Sequence, residues 1–262
     1  LVGHSLGGLA VLALAEGYPG QYDAALPVCA PLGGGIPEVQ YLGHARVLFD
    51  YFFPQVVPGD AFDVPADLPF APGSPLFTAT QTALIQGLFA PGQPTLQFAR
   101  VAGLPFTSIP ELVTSAMSVV GFSIRFTNDV LDRTHGHVPF DNMDTVYAGS
   151  ADDATLNARV ERFSATPDAA NYFERFYTPS GDLQIPTLTL HTRLDPVVPF
   201  WHQAAYAVTT AQAGSGGQLV QRSIARYGHC AVSPAETAAA FADLVQWADG
   251  GAKPAGGDGT VR

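Results

Sequence analysis

The sequence predicts an α/β fold built on a parallel sheet, and three observations carry that reading. Short apolar runs bounded by Gly and Pro alternate with helical stretches at both ends of the chain, the pattern of βαβ units. The motif Gly3-His4-Ser5-Leu6-Gly7 lies between a strand-like pair, Leu1-Val2, and a small-residue helix over 6–15. That is the strand–turn–helix setting in which a G-x-S-x-G serine elbow works. Between the two sheet-like ends, the segment 36–182 is rich in proline and aromatics and lacks strand alternation.

Taken in order, each element has a local cause. The elbow glycines are expected where a Cβ two residues before or after Ser5 would crowd the neighbouring strand or helix. Gly17-Tyr18-Pro19-Gly20 ends the first helix, and 23–30 (DAALPVCA) reads as a buried parallel strand. Pro31-Leu32-Gly33-Gly34-Gly35 then leaves the sheet at its C-terminal edge, where sites in open α/β sheets lie. Helices are expected over 39–53, 74–89, 109–126, 152–163 and 169–176. Sheet patterning returns at 185–191, followed by a helix over 200–211 and a last strand at 219–227. Ser233-Pro234-Ala235-Glu236 is a capping box with proline at the first helical position. Phe241, Leu244, Val245 and Ala248 repeat behind it at helical spacing.

These elements divide the chain into a first piece of sheet core (1–35), a mostly helical insertion (36–182), a second piece of core (183–249) and a glycine-rich tail expected to be disordered (250–262). The insertion is read as a cap over the functional edge of the sheet. A separate helical domain is the alternative, and the return to sheet patterning favours the cap. Because the chain opens inside the strand that delivers Ser5, it is expected to be the C-terminal part of a longer protein.

Composition narrows the function classes. With 262 residues, 47% hydrophobic and 13% charged, the chain has ample material for a core. A net charge of −11 and a single lysine, Lys253, argue against nucleic acid and against anionic membrane surfaces. No run of about 20 apolar residues stands out, so no membrane span is expected. His135-Gly136-His137 with Asp141 nearby is one H-x-H without a second ligand pair, a weak metal signal better read as a glycine loop. Neither a metal nor a cofactor is expected.

A serine hydroxyl needs a base within hydrogen-bond reach, itself oriented by a third group. Asp195, in Leu194-Asp195-Pro196, follows the strand ending at His191; His229, in Tyr227-Gly228-His229-Cys230, follows the next strand. Both therefore sit at strand C-terminal ends, in the order serine, acid, histidine. Singly, Asp195 also fits an ordinary Asp-Pro turn, and His229 a surface histidine in a Gly turn. Asp182 precedes its strand and so lies at the wrong edge. His191, within or at the end of a strand, and His202, on a helix, are read as structural or pocket-lining.

With these residues placed, the chain resembles the C-terminal portion of an α/β-hydrolase-superfamily serine hydrolase over about 1–31 and 183–248. The segment between matches only as a generic insertion. The resemblance implies Ser5 as nucleophile, His229 as base, Asp195 as acid and the Leu6 backbone N–H as one oxyanion donor. The second donor in that family comes from an earlier loop that this sequence does not contain. Cleavage of a small-molecule or polymeric carboxylic ester is the first expectation. A prolyl-peptidase-like serine peptidase and a non-catalytic binding module are the alternatives. His4, beside the nucleophile, and Phe140 are candidate substrate-binding residues, though packing is the commoner role at position 4. Cys29 and Cys230 should lie at the same sheet edge. A disulfide, which implies an oxidising compartment and a secreted or periplasmic protein, and a pair of buried thiols both fit.

Overall fold

The computed structural model describes residues 1–261, apart from the side chain of Tyr177. Two compact units emerge, Leu1–Glu38 with the chain from Phe176 onward, and Val39–Arg175. In chain order the elements are β1 (Val2–His4), α1 (Leu6–Gly17), β2 (Leu26–Val28), α2 (Gly35–Phe52), α3 (Pro75–Phe89), α4 (Pro94–Val101), α5 (Ile109–Arg133), α6 (Asp153–Arg159) and α7 (Pro167–Tyr177). They continue with β3 (Thr187–Leu194), α8 (Trp201–Gln212), β4 (Leu219–Tyr227), α9 (Pro234–Ala248) and β5 (Gly257–Asp258).

The first unit is built on a parallel sheet of order β1-β2-β3-β4-β5. Strand β2 and most of β3 are buried, which is why their sequences read as near-continuous apolar and β-branched runs. Leu26, Val28, Leu188 and Leu190 pack against Ala240 and Leu244 of α9. Alternate residues of a strand face opposite ways, so Thr189 points away from α9 and meets Gln203 of α8 at 2.6 Å. Leu12 of α1 and Tyr206 of α8 share a cluster with Leu32 and Leu183. The closing helix starts on the capping box expected from its sequence, with Ser233 and Glu236 exchanging hydrogen bonds.

The tail expected to be disordered instead forms β5. Gly257 and Asp258 pair with Arg222 and Ser223, and the Gly259 N–H donates to the Ser223 carbonyl at 3.0 Å. The glycines that read as disorder permit this approach: a Cβ on Gly256 would lie 2.9 Å from the Gln221 carbonyl oxygen.

In the second unit, α5 runs seven residues past the expected end at 126, and α4 was not anticipated. Helix α6 stops at Arg159, short of the expected 163. Helix α5 is long and apolar enough to cross a membrane by length and composition alone. Half of its apolar window is buried, and Leu112, Ala116, Val119, Val120 and Ile124 lie in the core.

The glycine requirement of the elbow falls differently from expectation. A Cβ on Gly3 would lie 2.2 Å from the Gly7 carbonyl oxygen, and one on Gly8 would lie 2.5 Å from the Ala30 Cβ. A Cβ on Gly7 meets nothing within 4 Å. Gly3→Ala is therefore expected to destabilise the protein by about 1–3 kcal/mol through overpacking. Gly7→Ala, in a helix, should be neutral or stabilise by up to about 1 kcal/mol. Thermal melts of the two variants check this, and equal melting temperatures would refute it.

Candidate active site

Parallel strands bring their C-terminal ends to one edge of the sheet, and the chemistry-bearing residues sit there. Ser5 follows β1, Cys29 follows β2, Asp195 follows β3, and Gly228-His229-Cys230 follows β4. Ser5 has φ 54° and ψ −127°, a region that non-glycine residues occupy only when their surroundings enforce it. Its N–H donates to the Val28 carbonyl at 2.9 Å, tying the elbow to β2. The pairing of β3 with β4 shifts register between Thr192 and Leu194, and such irregularities re-aim the residues that follow. Beyond it the Gly228 N–H donates to the Leu194 carbonyl at 3.0 Å, and the Thr192 hydroxyl to the Gly228 carbonyl at 2.7 Å.

Three of the expected residues meet. His229 Nε2 lies 2.9 Å from Ser5 Oγ, and His229 Nδ1 lies 2.8 Å from Asp195 Oδ2 and 3.1 Å from Oδ1. An ionised carboxylate only accepts, so Nδ1 carries the proton and Nε2 presents its lone pair to the serine hydroxyl. Asp195 is buried, and its charge is met by the N–H groups of Val197 and Val198 on Oδ1, at 2.9 and 3.0 Å. The Cys230 N–H approaches Oδ2 at 3.4 Å. Leu6 opens α1, where first-turn N–H groups have no helical acceptor and the helix end carries partial positive charge.

Cys29 and Cys230 are bonded, closing the choice left open by the sequence. Among the described residues, the one His/Cys/Asp/Glu group with metal-like spacing is Cys29, His229 and Cys230. Its two sulfurs are spent on each other. His135 lies two residues past the end of α5 with φ 54°, and His137 faces Asp168 at 3.8 Å. Asp141 accepts from the N–H groups of Met143 and Ala165, as a turn former does.

The other candidates separate. His4 is exposed on β1. Phe140 is fully buried, stacked on Phe62 at 5.5 Å and edge-on to His44 at 5.0 Å. A Cβ on Gly43 would touch its ring at 2.5 Å. Phe140 thus packs the core of the second unit, correcting its reading as a substrate-binding residue. His191 and His202 lie beneath the site. The Gly33 N–H donates to His202 Nδ1 at 2.9 Å, so His202 Nε2 donates to Glu38 at 2.9 Å. Burial drives His202 down to about 3, assisted by the nearby His191, and pushes Glu38 well above the usual carboxylate range, assisted by the Asp195 charge. Glu38 and Gln203 were missed from the sequence, because no spacing links them to the residues they hold.

No family model and no curated protein matches the chain. Among solved structures it is similar to feruloyl esterase B from Aspergillus oryzae, with a TM-score of 0.43 and 13% identity. The match covers 96% of this chain and 59% of that one, so the present chain spans about three fifths of that protein's length. A likeness this distant says nothing about chemistry.

Proposed function

We propose that this chain supplies the nucleophile, base and acid of a serine hydrolase that cleaves carboxylic esters through an acyl-enzyme. The observation that carries the reading is the relay from Ser5 Oγ through His229 to the buried Asp195, with both contacts under 3 Å. Ser5 Oγ attacks the ester carbonyl while its proton passes to His229 Nε2. The carbonyl oxygen becomes an oxyanion, stabilised by the Leu6 N–H at the positive end of α1. Collapse breaks the ester C–O bond, and the leaving alcohol takes the proton from His229. Water then attacks the acyl-Ser5 carbonyl with His229 again as base, releasing the acid and regenerating the hydroxyl. Asp195 remains ionised throughout and holds Nδ1–H, stabilising the imidazolium that forms twice per turnover. The bonded cysteines fit an oxidising compartment, hence a secreted or periplasmic protein.

Covalent labelling tests the nucleophile. A fluorophosphonate is expected to add once to the folded chain, displacing fluoride, as read by intact mass, and to leave Ser5→Ala unmodified. A folded chain that stays unlabelled would overturn the activated serine. Assays on p-nitrophenyl esters and aminoacyl arylamides then address the bond. Turnover of the amides without any preference for esters would replace the esterase by a peptidase.

A further inference from the structure

The acid sits on a turn that a second histidine holds from below. His191, in β3, is fully buried four residues before Asp195. The Gln203 side-chain amide donates to His191 Nδ1 at 3.2 Å. That makes Nδ1 the acceptor, so Nε2 carries the hydrogen and donates to the Val198 carbonyl at 2.9 Å. Gln203 is itself fixed, since its Oε1 accepts from the Thr189 hydroxyl at 2.6 Å and from the Gln221 amide at 2.8 Å. Val198 is the residue whose own N–H donates to Asp195 Oδ1. Its peptide groups are therefore gripped on one side by His191 and close over the carboxylate on the other. His191 Nε2 is also 3.7 Å from Asp195 Oδ2, so the same N–H adds a favourable field at the acid.

We propose that His191 is a positioning residue for Asp195, setting the 195–198 turn and through it the hold on His229. This deepens the serine-hydrolase reading and rests on it for its kinetic consequence, though not for its effect on the His229 imidazole. The charged and titratable groups around His191 are Asp195 on the turn, His229 after β4 and His202 on α8. Burial keeps His191 below the ordinary histidine range, so it acts as a neutral donor and not as a rival base. A buried network of this kind is useful only when its members are satisfied, and here Thr189 and Gln221 both meet Gln203, which leads through His191 to Val198. The Phe200 ring, edge-on at 5.9 Å, closes the side of the imidazole.

The test compares wild type with His191→Leu, His191→Gln and Gln203→Leu in the full chain, by NMR titration of the His229 ring and by ester kinetics. His191→Leu loosens the acid, so the imidazolium loses stabilisation and the His229 midpoint should fall by about one pH unit, worth ~1.4 kcal/mol. The acid limb of kcat/KM should move down with it. Turnover should fall by about 10²-fold, the scale of a misplaced catalytic geometry, with KM changed far less. His191→Gln should restore most of both, because its amide nitrogen reaches the Val198 carbonyl. Gln203→Leu frees the ring without touching it, and should shift the midpoint the same way even if His191→Leu fails to fold. A lower melting temperature with an unmoved His229 midpoint in these variants would make His191 a packing residue and overturn the proposal. A shifted midpoint in a protein that neither labels nor turns over would uphold the positioning role and sink the hydrolase reading instead.

Discussion

Asp195→Asn is expected to lower kcat on a p-nitrophenyl ester by about 10⁴-fold, the size of effect seen when a triad acid loses its charge but keeps its shape. The cause can be followed atom by atom. Asp195 accepts from Val197, Val198, Cys230 and His229 and donates to nothing. An asparagine must turn its NH₂ toward one of these donors. Toward Val197 and Val198 it would leave two well-bonded buried N–H groups unpaired, against the single long contact from Cys230 on the other oxygen, so the amide nitrogen turns to His229. There it donates to Nδ1, and the imidazole flips to the tautomer with hydrogen on Nε2. The nitrogen 2.9 Å from Ser5 Oγ then has no lone pair for the serine proton. Fold and substrate affinity should survive, because the side chain keeps its volume in a fully buried site. Steady-state kinetics with circular dichroism checks this. Turnover within tenfold of wild type would show that Asp195 is a turn former and no part of a relay.

Much of this site is legible in the sequence because parallel strands convert chain order into spatial order. Each of Ser5, Asp195 and His229 lies at a turn that ends an apolar run, and a parallel sheet carries such turns to one edge. The closing helix is legible for a related reason, its capping box being local. What escapes is what depends on distant partners. Nothing in the spacing of Glu38 and His202, or of Gln203 and His191, says that they pair, for those contacts exist only once α2 meets α8 and α8 packs on β3. Phe140 illustrates the opposite error, since an aromatic beside polar residues reads the same whether it faces ligand or core. The tail reads as disorder because glycine is counted for entropy, whereas Gly256 also lets the backbone approach β4. The Cys29–Cys230 bridge was half legible: the strand ends place both cysteines at one edge, but only the close approach of their backbones, 5.2 Å between Cα atoms, decides that they meet.

That bridge has the second large consequence. Cys29→Ser/Cys230→Ser is expected to lose about 2–5 kcal/mol of stability, the usual cost of deleting a native disulfide. The closed loop is long, with a sequence separation of 201, and a longer loop constrains the unfolded chain more. A further effect is local. Cys29 and Cys230 have φ of 44° and 51°, and Gly228 has φ 113°. Left-handed backbone at non-glycine residues costs about 1–3 kcal/mol and persists only where neighbours over-determine it. Cys29 is fixed in the core, its N–H donating to the Leu190 carbonyl at 2.8 Å, so the bridge anchors the strained turn that carries His229. Without it, Gly228-His229-Cys230 can relax toward ordinary dihedrals and draw Nε2 away from Ser5. Turnover at a temperature well below both unfolding midpoints should then fall by about 10²-fold, because a displacement near 1 Å is enough for that. Reductant on the wild type should reproduce both changes, and reoxidation should reverse them. Denaturant unfolding with and without reductant, beside ester kinetics under the same conditions, separates the two effects. Lost stability with full turnover would leave the bridge a staple for the fold, while an unchanged unfolding midpoint would contradict the loop-closure argument itself.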